Sequence, residues 1–184
     1  MIAILSFSIR NDGSISSETG LAIAAVVFYL LAYVVTSVGA FGCASLVSSS
    51  EHESDSIADY IGLFWRSPWL ALVLTSMLLS LAGIPLTGGF ISKFLVFFAA
   101  VEASQWVLLL VLVVGSGIGL YYYLRVIFQM LQSPSKLEHL ELKGSNWETL
   151  GAVSMLLLVT VGTFILGVYP EPMLNLVEEV VLSL

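Results

Sequence analysis

Charge is what this chain has least of. Only 10% of its 184 residues are Asp, Glu, Lys or Arg, against about 25% in an ordinary soluble domain. Lysine and arginine together number six and the net charge is −7, which argues against nucleic acid as a partner, since a phosphate binder needs clustered cations. A single cysteine, Cys43, rules out an internal disulfide framework. The two histidines, His52 and His139, stand in polar loops without a second ligand at metal spacing. No nucleophile, metal cluster or redox motif is visible, so no cofactor is expected in this chain. The amino-terminal MIAILSFSIRN has a brief apolar run and no basic n-region, so it is neither a signal peptide nor long enough to span a bilayer.

What the chain does have is apolar length. Hydrophobic residues make up 58%, in runs that read as an integral membrane protein embedded in a lipid bilayer. The expected fold is all-α: one polytopic transmembrane domain over residues 1–184, with about four membrane helices. The first span runs from Leu21 to Ser49, the second from Pro68 to Val101, the third from Gln105 to Leu131 and the fourth from Thr149 to Tyr169. A short tail beyond Pro170 sets Leu174, Val177, Val181 and Leu184 on one helical face opposite Glu178. It reads as an amphipathic helix lying at the interface or against a neighbour.

Aromatics mark the ends of the spans. Trp65 and Trp69, Trp106 and Trp147 stand at three entrances, and Tyr169 at the last exit. Arg66, Arg125, Lys136 and Lys143 all fall at the ends of the loops Ser50–Ser67 and Gln132–Glu148, whereas only Arg10 falls on the opposite side. The positive-inside rule then makes both loops cytoplasmic. Glu51, Glu53, Asp55 and Asp59 do not offset this, because carboxylates contribute little to orientation.

The second span is too long. As one helix its 34 residues would reach ~51 Å, well beyond the ~30 Å hydrocarbon core. Pro85 cannot donate to the carbonyl of Leu81 and crowds that turn, and glycines at 83, 88 and 89 permit an irregular path. Gly83, Pro85, Gly88 and Gly89 therefore predict a discontinuous helix, broken near residues 84–89. Irregular backbone at this depth survives only where protein surrounds it or water reaches it.

Just past that break stands Lys93, nine residues before polarity returns at Glu102. At a rise of ~1.5 Å per residue that is ~13 Å, close to the bilayer centre and farther than a lysine stem can snorkel in full. An ammonium there costs at least ~2.5–3.5 kcal/mol. Two bland readings are a counter-ion to a carboxylate on another helix and a snorkelling residue. The functional reading is preferred, because an ionisable group at membrane depth beside a helix break marks a polar pathway. An amine, unlike a guanidinium, can give up its proton, so Lys93 is the candidate proton relay. Gly115 and Gly119 form a GxxxG pair inside an apolar helix, and Gly39 and Gly42 lie near Ala40 and Ser37 in the first span. Both sets are expected to mediate close helix packing.

Three segments carry a resemblance: Ser80–Phe94 with its Gly-Ile-Pro break, Gly119-Leu-Tyr-Tyr-Tyr-Leu-Arg-Val126, and Ser37-Val-Gly-Ala-Phe-Gly42. Together they resemble the subunit N family of antiporter-like membrane subunits in proton-translocating NADH:quinone oxidoreductase, respiratory complex I. The break alone is shared with related cation/proton antiporter subunits; the tyrosine run favours the complex I family. The resemblance covers the whole chain as the C-terminal part of such a subunit, the last four of fourteen helices. It implies that Lys93 matches a lysine on a discontinuous helix facing the outer half-channel. The family's inner glutamate and central lysines lie upstream and have no counterpart here, so the chain reads as a fragment. The resemblance further implies a bacterial inner membrane, other complex I membrane subunits as partners, and a non-redox part in a translocase. NADH, flavin, iron–sulfur clusters and quinone would belong to the whole complex. A monovalent cation/proton antiporter subunit and a non-catalytic scaffold are the alternatives, the first separable by sodium dependence.

The charge asymmetry yields the first test. Single cysteines placed in either polar loop are expected to resist an impermeant thiol reagent added from outside, and labelling from that side contradicts the orientation.

Overall fold

The computed structural model describes residues 17–47, 57–133 and 146–182, with side chains given for 22–47, 57–133 and 151–177. Arg10, Glu51, His52, Glu53, Asp55, Lys136, His139, Lys143 and Leu184 fall outside the described residues, as do the side chains of Trp147, Glu178 and Val181. Among the described residues all regular structure is helical. The elements are α1 (Ser17–Val47), a 3₁₀ turn (Ile57–Tyr60), α2 (Leu63–Arg66), α3 (Pro68–Ala82), α4 (Gly88–Glu102), α5 (Trp106–Leu131), α6 (Asn146–Val168) and α7 (Glu171–Leu182).

Among the described residues three segments are long and apolar enough to cross a membrane: Ala22–Val47 in α1, Trp106–Leu131 in α5 and Gly151–Val168 in α6. Helices α3 and α4 have fifteen residues each, ~22 Å, and neither reaches across ~30 Å alone. Placed end to end they make the remaining crossing. The described residues therefore form a multi-pass membrane helix bundle with four crossings, one of them discontinuous, and a short helix after the last.

Two boundaries move outward from the hydropathic expectation. α1 starts at Ser17 instead of Leu21, and α6 at Asn146 instead of Thr149. Hydropathy reports the bilayer, whereas backbone hydrogen bonding carries a helix beyond it. The break is displaced as well. α3 ends at Ala82 and α4 begins at Gly88, so the non-helical linker is 83–87 and not 84–89. Ile84 precedes Pro85 and is driven out of the α region, so the helix has to stop by Gly83. Gly88 and Gly89, expected in the break, are the first residues of α4.

α1 is the spine, packing against α3, α4, α6 and α7. Association inside a bilayer relies on close van der Waals contact between helices. Gly39 and Gly42 provide it: a Cβ at Gly39 would lie 2.7 Å from the Met77 sulfur and 2.9 Å from Val159, and one at Gly42 3.1 Å from Leu156. Two apolar cores result. The larger gathers Cys43, Leu63, Leu70, Leu74, Met77, Met130 and Leu156. The smaller gathers Ala22, Ala25, Val96 and Ala100, with Leu108 and Leu112 of α5 against it. Val177 brings α7 back onto Ala24, Ile23 and Val27, so the tail helix docks on α1 of its own chain.

α5 does not behave as the GxxxG pair suggested. A Cβ at Gly115 would meet nothing within 4 Å, and one at Gly119 only the Tyr123 ring of the same helix. Leu108, Leu112, Gly115, Gly119, Tyr123 and Val126 recur at helical spacing along one face. The leucines and Tyr123 reach the cores, but where glycine stands the wall recedes and no neighbour moves in to fill it. A cleft opens there, between the two cores.

Candidate lysine site at the helix break

The site is made by the way two half-helices end. Gly83 takes φ 83°, a left-handed conformation that glycine adopts without a Cβ penalty. Its N–H donates to the Ser80 carbonyl at 2.9 Å and to that of Leu79 at 3.1 Å, and the Ile84 N–H donates to Leu79 at 3.0 Å. This is a Schellman ending, and it satisfies two of the last four carbonyls. Those of Leu81 and Ala82 remain. Lys93 Nζ takes both, donating to Leu81 at 2.7 Å and to Ala82 at 3.0 Å.

The start of α4 is met in the opposite direction. Thr87 holds the N-cap position, but no N–H of the first turn bonds its hydroxyl, which donates to the Ile84 carbonyl at 2.8 Å. The Gly89 N–H, an orphan of the first turn, donates instead to Ser80 Oγ on α3 at 3.3 Å. Each half-helix thus caps the other: a lysine of α4 closes α3, and a serine of α3 closes the first turn of α4.

The glycines are needed for approach. A Cβ on Gly89 would run into the Ser80 carbonyl, and one on Gly88 would sit 3.0 Å from Leu166 of α6. At Gly83 it would lie 2.9 Å from the Lys93 stem. Gly167 of α6, with no sequence signal beyond its identity, is flush against the backbone of Leu86 and Thr87. Within the linker it is Leu86, not a glycine, that carries φ 78°, a strained value for a leucine. Pro85 lies in the linker, where its missing N–H interrupts no helical bond.

Lys93 lines a cleft of about 350 Å³. Its polar walls are Thr36 of α1, Ser80 of α3, Ser92 of α4, and Ser116 and Tyr123 of α5, with Tyr29 and Tyr33 of α1 at one side. The two α1 tyrosines stack at 6.2 Å. The Ser92 hydroxyl is committed to the Gly89 carbonyl at 2.9 Å. No carboxylate is among the lining residues. The counter-ion reading of Lys93 therefore finds no acid among the described residues; backbone carbonyls at the negative end of the α3 dipole face the amine instead. Arg125, expected near the interface, is exposed on α5. Among the described residues no group of His, Cys, Asp or Glu could hold a metal ion.

The arrangement leaves one position of the Lys93 amine open. An ammonium has three donors and an amine two. The two carbonyls occupy two, so the third position, N–H when charged and lone pair when neutral, is left for the cleft. Deprotonation need not break either cap.

The class of protein is thus a polytopic membrane helix bundle with a reciprocally capped broken helix and a lysine at the break. The chain belongs to the family described as NADH:quinone oxidoreductase/Mrp antiporter, transmembrane, which matches residues 13–119. It is similar to NADH-quinone oxidoreductase subunit N of Methylococcus capsulatus, 47% identical over 155 residues, 84% of this chain and 30% of the relative. The subunit N of Acinetobacter baumannii is 47% identical over 179 residues, 96% of this chain and 34% of the relative. A chain of respiratory complex I from Thermus thermophilus with bound aureothin superposes with a TM-score of 0.68 at 25% identity, over 95% of this chain and 42% of that one. The chain thus spans about a third of the length of the curated relatives it matches.

The capped joint predicts an ordering of glycine substitutions. Gly89→Ala drives a methyl into backbone and should lower thermal stability of the protein in detergent by about 1–3 kcal/mol, the range for an overpacked core. Gly117→Ala, whose Cβ would meet nothing within 4 Å, should not lower it. Equal effects of the two contradict the joint.

Proposed function

We propose that this chain is the C-terminal part of a subunit N-like membrane subunit of a proton-translocating NADH:quinone oxidoreductase, and that Lys93 relays protons through the cleft. The observation that carries the proposal is the clamp on the Leu81 and Ala82 carbonyls, which holds the amine at the wall of a polar cleft between two apolar cores. The subunit takes part in the translocase without a redox site of its own. NADH, flavin, iron–sulfur clusters and quinone act in other subunits, and their free energy reaches Lys93 through conformation and electrostatics. The partners on this reading are the other membrane subunits of the complex and the lipid of a bacterial inner membrane.

The family description also covers Mrp antiporters, which favours a second reading, a monovalent cation/proton antiporter subunit. Transport that depends on sodium would favour that alternative. A pure scaffold is the third reading: the carbonyl clamp by itself gives Lys93 a structural role, and what favours the relay is that the same amine also lines a polar cleft.

Lys93→Ala should slow NADH-driven proton translocation by about two orders of magnitude, the scale of a lost acid–base group, while the complex still assembles. The Schellman bonds at Gly83 and the Ser80 cap survive the change, but the Leu81 and Ala82 carbonyls lose their donor, so the rate is normalised to the amount of assembled complex. Lys93→Arg should not restore the rate, since a guanidinium stays protonated. Wild-type pumping in both variants would make Lys93 a structural charge.

A further inference from the structure

Thr36 lies near the middle of the Ala22–Val47 span, 2% exposed. Its hydroxyl donates to the Ala32 carbonyl at 2.6 Å, using the one proton it has. Toward Ser80 Oγ, 3.4 Å away, it can only accept. Ser80, fully buried, therefore points its own proton at Thr36 and leaves its lone pairs for the Gly89 N–H. The result is a directional chain of three hydrogen bonds, Gly89 N–H to Ser80 to Thr36 to the Ala32 carbonyl, running from α4 through α3 to α1.

The chain ends on α4 at a telling place. Gly89 and Lys93 are four residues apart in one helix, stacked on the same face. Whatever fixes Gly89 against α3 fixes the reach of Lys93 back to Leu81 and Ala82. The N-cap hydroxyl that would ordinarily order this turn, that of Thr87, accepts no N–H from it and bonds only the Ile84 carbonyl. The linker and Gly88 are packed against Gly167 and Leu166 of α6, and the Ser80 bond is the polar tie that holds this turn to α3.

We infer that Thr36, acting through Ser80, is a positioning residue that holds Lys93 in register with its carbonyl clamp. Thr36 lines the cleft but has no bond to the amine, and its one proton is held by the Ala32 carbonyl; it sets the rotor of Ser80, and Ser80 sets the first turn of α4. Because α1 also contacts α3, α6 and α7, Thr36 is the point where the position of α1 is passed to the lysine. This rests on the proton-relay reading of Lys93, and the test separates the two.

The experiment measures NADH-driven proton uptake into inside-out membrane vesicles, normalised to assembled complex, with the chain in its full-length subunit. Thr36→Val keeps the shape and removes the acceptor, and should cut the rate about fivefold, the scale of one buried hydrogen bond. Thr36→Ser keeps the hydroxyl and should restore it. Thr160→Val is the matched control: that hydroxyl, also buried, bonds only the Leu156 carbonyl of its own helix at 2.7 Å and should leave the rate unchanged. If Thr36→Val does not accumulate, Thr36→Ala removes the same acceptor with less bulk and carries the same expectation. A rate unchanged in the hydroxyl-free variant while Lys93→Ala is impaired overturns the positioning role alone. Equal loss in Thr36→Ser and Thr36→Val also overturns it, since packing and not the hydroxyl would then matter. Normal pumping in Lys93→Ala overturns the relay reading itself.

Discussion

A helix interrupted inside a membrane must find partners for its own backbone. Water is not at hand in the hydrocarbon core, and each unsatisfied N–H or C=O there costs several kcal/mol. The whole arrangement around residues 83–87 answers that demand. Gly83 turns the chain so that Leu79 and Ser80 are satisfied locally, Lys93 takes the carbonyls of Leu81 and Ala82, and Ser80 takes the N–H of Gly89. The ionisable group and the broken helix are two halves of one solution. The break exposes carbonyls that a buried cation can use, and the cation closes a break that would otherwise be unsatisfied.

Other features follow from making that joint compact. The half-helices can cap each other only if their backbones come close, which is why Gly89 meets the Ser80 carbonyl and Gly167 meets the linker without side chains between them. The apolar cores stop on either side of the joint, at Ala25 and Val96 in one direction and at Cys43 and Leu78 in the other. Opposite the joint, Gly115 and Gly119 withhold side chains from α5, and the space they leave is the cleft that Lys93 lines. A single amine with two fixed bonds and one open position is then both part of the fold and chemically available.

Much of this was legible in the residues. A span of 34 residues containing a proline announces a discontinuity, and a lysine nine residues from the nearest charge announces its own importance. The boundary was misjudged because glycine has two uses that sequence does not separate, conformational freedom and close approach. Gly83 uses the first; Gly88 and Gly89 use the second from inside a helix. Gly115 and Gly119 show a third outcome, a glycine face that packs against nothing and makes a void. Thr36 and Ser80 were illegible because hydroxyls in membrane helices commonly bond back to the i−4 carbonyl, as Thr160 and Thr163 do here, and nothing in the pattern marks the pair that also bonds across helices. The carbonyl partners of Lys93 belong to the backbone, and no residue type encodes them.

The most direct measurement is a density map of the assembled complex that resolves side-chain nitrogens and ordered water. Lys93 Nζ is expected within ~3.2 Å of both the Leu81 and Ala82 carbonyls, with ordered water continuing from it into the cleft. Lys93 paired to a carboxylate of a neighbouring helix, with those two carbonyls satisfied by other donors, would contradict it.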